Sequence, residues 1–173
     1  ISNHDVGFML YCSFGNGWRL TGNEEYQKVL LQGSKSLSTR FRSTVGCIRS
    51  WDRKNWQYAV IIDNMMNLEL LLWASKNSSN TRFGEIARSH ADVTMKYHFR
   101  PDYSCYHVVS YDTITGKPDV KGTYQGYADD SDWARGQGWA LYGYTMMYRE
   151  TKQKKYLDQA IHVAKFIMGH PQL

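Results

Sequence analysis

The chain has 173 residues, a net charge of +5 with histidine neutral, 42% apolar residues and 14% aromatic residues. That length suits one domain. The densest basic clusters are Lys152-Gln153-Lys154-Lys155 and Arg40-Phe41-Arg42. These are too short for a nucleic-acid arm. The longest apolar stretches are broken by Asp63 and Glu69 before they reach bilayer length, so neither nucleic acid nor membrane is an expected partner. Cys12, Cys47 and Cys105 form no CxxC pair and cannot all pair internally, which argues against a disulfide framework and a zinc knuckle.

In chain order, the first element is VGFMLYCSFGNGWRL, Val6 to Leu20, apolar on nearly every side and preceded by His4 and Asp5. Thr21-Gly22-Asn23-Glu24-Glu25-Tyr26 then leads into KVLLQGSKSLSTRF, an amphipathic pattern with Thr as the expected N-cap. The second apolar segment, VIIDNMMNLELLLWAS, runs from Val60 to Ser75 and carries Asp63, Asn64, Asn67 and Glu69 at its start. A second amphipathic pattern follows Thr81, and GWALYGYTMMYRE with LDQAIHVAKFIM after Thr151 makes a third pair. All-round apolar helices must be buried on both sides, whereas amphipathic ones face water on one side. The fold class expected is therefore all-α, with stacked hairpins in an inner and an outer layer, as an open solenoid or a closed α/α toroid.

Between the second and third pairs, about residues 99–127 read as an insertion. YSCYHVVSYD, Tyr103 to Asp112, is expected as a strand, and Thr115-Gly116-Lys117-Pro118 as a turn. The following stretch, dense in Gly, Asp and aromatics, suits a loop laid over the mouth of the helical layers.

The repeat aligns its chemistry. Asp5 lies 21 residues before Tyr26, Asp63 20 before Phe83, and Arg135 21 before Tyr156. Two carboxylates and a guanidinium thus share one slot in three hairpins, and in a closed toroid they would face one cavity. An Asp at a helix start is ordinarily a cap worth roughly 1 kcal/mol. Both of them, together with Arg135, His4 and Trp133, point to more. An acid among apolar residues resists ionising and can donate a proton near neutral pH. Paired carboxylates with aromatics suit glycoside chemistry, and Arg135 suits an anionic substrate group. The remaining histidines read as bland: His90 and His98 as solvated polar groups on the outer helix, His162 and His170 as helix-end charges. Cys105, alternating with His107, lacks a third group that would make a nucleophile pair.

His4-Asp5-Val6-Gly7-Phe8, Ile62-Asp63-Asn64-Met65-Met66-Asn67, Tyr106-His107-Val108-Val109 and the long run Gly122 to Trp139 resemble, in order, the motifs of the unsaturated glucuronyl hydrolases, glycoside hydrolase family 88. The resemblance covers essentially the whole chain. It implies an (α/α)6 toroid, of which residues 1–173 would supply an incomplete piece of one bacterial catalytic domain, periplasmic or cytoplasmic. It implies no metal or organic cofactor. The substrate would be a lyase-generated oligosaccharide ending in a Δ4,5-unsaturated uronate, attacked by hydration of its enol-ether double bond. Asp63 would be the general acid/base and Asp5 the second essential carboxylate. His107 and Gln125 would contact the uronate, Arg135 would assist by charge, Trp133 and Trp139 would stack, and His4 would line the site. The alternatives are an unsaturated rhamnogalacturonyl hydrolase and a non-catalytic glycan-binding toroid. Nothing in the residues sets an oligomeric state. The start at Ile1 and the helix-stop pattern Gly169-His170-Pro171 read as a piece of a longer protein.

Overall fold

The computed structural model describes residues 3–52 and 55–170. The expected stop at Pro171 lies outside them; within them the last helix ends at Gly169 with His170 as its C-cap.

Among the described residues three helical hairpins follow one another. The first inner rod is α1 (Val6–Leu10), a π-helical stretch (Tyr11–Gly15) and α2 (Asn16–Thr21), and its outer partner is α3 (Glu24–Ser38). The second inner rod is a 3-10 helix (Ile62–Asn67) leading into α4 (Leu68–Lys76), paired with α5 (Arg82–Tyr97). The third pair is α6 (Ala134–Thr151) with α7 (Lys154–Gly169). In α4, Leu68, Leu70, Leu71, Leu72, Trp73 and Ala74 are all buried. Each large side chain there contributes about 1.5–3 kcal/mol by leaving water, which is why this rod needs neighbours on every side. The outer helices α3 and α5 bury single stripes: Leu30, Ser34 and Leu37 in one, Phe83, Ala87 and Ala91 in the other.

The expected threonine caps are placed differently. Thr21 and Thr151 end the inner helices instead of starting the outer ones. Their hydroxyls donate back to Gly17 O at 2.7 Å and Met147 O at 2.6 Å. The next residues, Gly22 (φ 67°) and Lys152 (φ 60°), take the left-handed conformation that closes a helix. The outer helices then start at Asn23, whose side chain accepts from Glu25 N, and at Gln153. Thr81 does stand at the α5 N-cap position but makes no capping bond. The Thr21 and Thr151 hydroxyls each also accept from the backbone N–H two residues on, Asn23 N at 3.2 Å and Gln153 N at 3.3 Å, so these threonines tie the turn between the two helices instead of capping the outer one.

Two small sheets complete the fold among the described residues. β1 (Phe41–Arg42) and β2 (Cys47–Ile48) form an antiparallel ribbon. β3 (Ala59–Ile61), β4 (Val108–Tyr111) and β5 (Pro118–Gly122) form an antiparallel sheet in that order. One expectation is corrected here, and one element was not expected. The strand expected over residues 103–112 is regular only from Val108: Tyr103 turns at φ 70°, and the residues after it pair with the segment following α5, Cys105 bridging Phe99 and Tyr106 N donating to His98 O, instead of with β3. Val60 and Ile61, which the sequence places only as apolar residues ahead of Asp63, lie in a buried strand; a short β-branched run cannot be told from buried helix by pattern alone. The expected turn is present, with Gly116 at φ 70° donating to Asp112 O.

His90 and His98 are fully buried, contrary to the solvated reading. His90 lies on the inward stripe of α5, and its Nδ1 accepts from Ile48 N at 3.0 Å. Burial pushes its pKa down to about 3, so it packs as a neutral ring. His162 is mid-helix, stacked on Tyr103 with centroids 4.1 Å apart, and is no helix-end charge. His170 is at the end of α7, 3.5 Å from Asp132 Oδ2. Cys47 and Cys105 are buried thiols and Cys12 is exposed.

Candidate active site

Asp63 owes its position to the sheet as much as to the helix. The ladder pairs Ile61 with Val108, and Ile62 N continues it by donating to His107 O at 3.0 Å. Beyond that bond the chain turns into the 3-10 helix, so Asp63 emerges beside the His107 ring. Its Oδ2 is 3.8 Å from His107 Nε2, and neither atom has a hydrogen-bond partner among the described residues. The carboxyl is 21% exposed. Burial pushes its pKa up to about 6; the charge of Asp5 adds to the rise and that of Arg135 opposes it. Trp139 favours the ionised form from α6, although its N–H falls short of a full hydrogen bond.

Asp5 arrives from the first hairpin. The start of α1 is seated directly on the 3-10 helix: Phe8 N donates to Asn67 Oδ1 at 2.9 Å. A Cβ on Gly7 would stand 2.6 Å from Asn67 O and 2.8 Å from Asn67 Cα, so the approach requires glycine. The polar residues of the apolar rod thus have specific tasks. Asn64 Nδ2 donates to Ile48 O at 2.8 Å, Asn67 holds α1, and Glu69 bonds Tyr142 and Arg149 of α6. On the third side α6 closes in, with Gly143 against Met65 and Gly136 against Ile62.

Asp5, Phe8, Asp63, Met66, Gln125, Arg135 and Trp139 line one cavity of about 290 Å³. The three residues of the repeated slot therefore face the same space. Arg135 Nη2 donates to Gln125 Oε1 at 2.7 Å, and its Cζ lies 4.5 Å from the Trp133 ring centroid. Trp133 also packs against His107 at 4.4 Å. Burial, followed by the charge of Arg135, pushes His107 down to about 4, so the ring is neutral at ordinary pH. His4 stands one step back: its Nε2 is 3.3 Å from Asp5 Oδ1, and burial lowers its pKa against the pull of Asp5. His4, His107 and Trp133 thus flank the cavity and support the groups that line it.

Sequence reasoning missed Phe8 and Met66, which are ordinary apolar residues in a helical pattern. It also missed an aromatic group beside the site: Trp51 lies 5.4 Å from Trp56, 5.2 Å from Tyr124 and 5.7 Å from His107. The concentration of Trp and Tyr was the available signal, but nothing local marked which of them converge. Among the described residues no group of three or more His, Cys, Asp or Glu side chains could hold a metal ion, and no helix is long and apolar enough to cross a membrane.

No family model matches the chain. Over 173 residues it is 51% identical to an unsaturated glucuronyl hydrolase of Formosa agariphila, covering 98% of this chain and 43% of that protein. A solved unsaturated glucuronyl hydrolase described as specific for heparin superposes with a TM-score of 0.96 at 55% identity, over 98% of this chain and 46% of that one. The chain belongs to the unsaturated glucuronyl hydrolases. The enzyme of Bacillus sp. GL1 is similar too, with a TM-score of 0.92 at 31% identity, over 99% of this chain and 46% of its own. An unsaturated chondroitin disaccharide hydrolase of Streptococcus pyogenes is 36% identical over 161 residues, 91% of this chain and 40% of that protein. The chain thus spans less than half the length of these relatives. Its stacked hairpins are a piece of the toroid its structural neighbours form, and the matches favour the glucuronyl type over the rhamnogalacturonyl and non-catalytic alternatives.

Proposed function

We propose that residues 1–173 supply part of a single toroidal catalytic domain that removes a Δ4,5-unsaturated uronic acid from lyase-generated oligosaccharides. One observation carries the reading: Asp5, Asp63 and Arg135, from three hairpins, line one cavity in which Asp63 is held near pKa 6. A carboxylic acid of that strength is protonated in a useful fraction of molecules near neutrality, where an ordinary carboxyl is not, and it regains its proton after each turnover.

In this reading Asp63 donates its proton to C4 of the enol ether, leaving an oxocarbenium centre across C5 and the ring oxygen. Asp63, now a carboxylate, takes a proton from water as the hydroxide adds to C5. Asp5 orients the ring and the water. The C5 hemiketal opens to a ketone, the ring oxygen becomes a hydroxyl on C1, and that hemiacetal expels the remaining sugar. Arg135, with Gln125 and His107, faces the uronate carboxylate. Trp133 and Trp139 offer flat faces to sugar C–H groups. Neighbours solved with an unsaturated tetrasaccharide and with an unsaturated sulfated disaccharide support a glycan ligand of this type.

The test is a panel of unsaturated chondroitin, hyaluronan and heparin disaccharides, with and without sulfate. Heparin type comes first, because a neighbour at 55% identity is described as specific for it. Loss of the ultraviolet absorbance of the conjugated uronate is the expected result. No loss on any member, from protein shown to bind the disaccharide, would point instead to a non-catalytic glycan receptor.

A further inference from the structure

The loop after β5 does more to His107 than cover it. The ring is fully buried at the side chain, and its Nδ1 is met by donors from one short segment. Tyr124 N–H lies at 3.1 Å, Gln125 N–H at 3.2 Å and the Thr123 hydroxyl at 3.4 Å. Thr123 Oγ1 already accepts from Gly126 N at 2.7 Å, so its own hydrogen is free to turn toward the ring. Consecutive backbone N–H groups around one atom make a nest for a lone pair. A proton on Nδ1 would point at two N–H groups that cannot turn away.

The segment is itself tied down. Thr123 N donates to Asp129 Oδ1 at 2.7 Å. That carboxylate sits where a Cβ on Gly122 would come within 2.4 Å of Oδ1, so glycine makes room for the clasp. Arg100 donates to Asp129 O at 3.0 Å and Ser131 O at 3.2 Å, fixing the far side of the loop to the end of the outer hairpin.

We propose that Thr123 and Asp129 are positioning residues that hold His107 in its Nε2–H tautomer, so that the ring presents only a donor to Asp63 and to a substrate carboxylate. This rests on the reading of Asp63 as the acid. With the opposite tautomer, a bare Nε2 lone pair would face Asp63 Oδ2 across 3.8 Å. It would accept a hydrogen bond from the acid and hold back the proton that C4 needs. A donor at Nε2 cannot do so; it steadies the carboxylate that forms after the transfer, and it suits an anionic ligand. The other groups facing the ring do not compete for the proton: Trp133 and Trp51 present rings, and Arg135 is a fixed cation that disfavours imidazolium.

Nitrogen NMR of protein labelled at its histidine rings, with His107 assigned by loss of its signals in His107→Gln, tests this without any turnover. The expected result is an unprotonated Nδ1 and a protonated Nε2, unchanged from about pH 5 to about pH 8. A protonated Nδ1, or a ring that titrates within that range, overturns the proposal while leaving the acid role of Asp63 open. Asp129→Ala should mix the tautomers and lower kcat about tenfold or more, with Asp129→Asn, which keeps the accepting oxygen, restoring both. A single tautomer retained in Asp129→Ala removes Asp129 from the mechanism. If the alanine variant does not fold, the wild-type ring signals decide alone.

Discussion

Replacing Asp63 by asparagine separates what the site does for catalysis from what it costs the fold. The ordinary carboxyl value of 3.8 is raised to about 6 here, chiefly by burial. A raised folded value means that the native state holds the proton more tightly than the unfolded chain. Stability conferred by the protonated group is therefore present below pH 3.8, and it is lost as pH rises from 3.8 through about 6. At about 1.36 kcal/mol per pH unit the full penalty at neutrality is about 3 kcal/mol. Partial exposure leaves roughly half of that, about 1.5 kcal/mol. A carboxamide never ionises, so Asp63→Asn should raise Tm by about 3–6 °C near pH 7, with the gain shrinking toward zero near pH 4. Thermal unfolding of both proteins over that range gives the difference directly. In the same variant, turnover of the unsaturated disaccharide should vanish. A pH-independent offset between the two stability curves would refute the burial argument, and unimpaired turnover would refute the acid role.

Other outcomes test other parts. Activity of the wild type should fall as pH rises above about 6, because the acid must be protonated to act; Arg135→Gln, which removes a charge favouring ionised Asp63, should move that limb to higher pH in a kcat/KM profile. Gly7→Ala should cost about 1–3 kcal/mol in urea unfolding and lower kcat, since the new Cβ meets backbone of Asn67 and pushes Asp5 away. Acid unfolding should draw on His90 and His107, whose folded values near 3 and 4 lie below their ordinary one. Stability is then present above pH 6.5 and lost as pH falls toward those values, and His90→Phe should flatten that slope in calorimetry. Native protein should react with a thiol reagent at Cys12 and not at Cys47 or Cys105, as peptide mapping would show.

The helical pairs were legible because burial imposes a period. A rod such as Leu68–Lys76 must be apolar all round, and an outer helix such as Arg82–Tyr97 must be apolar on one stripe. The same repeat exposed the slot shared by Asp5, Asp63 and Arg135. The histidines of α5 were misread because His on an amphipathic stripe looks alike whether it faces water or a backbone N–H such as that of Ile48. The strand Ala59–Ile61 was hidden because three apolar residues fit either structure, and only a partner strand decides between them.

Residue order alone determined the hairpin architecture, the family and which side chains carry charge, since each follows from local pattern or from motif. Only the tertiary structure decided that Gly7 lets α1 rest on Asn67, that the β3–β4 register sets His107 beside Asp63, and that Trp51, Trp56 and Tyr124 gather at the same mouth. These are contacts between segments dozens of residues apart. Their energies come from close approach and exclusion of water, which no local pattern of residues encodes.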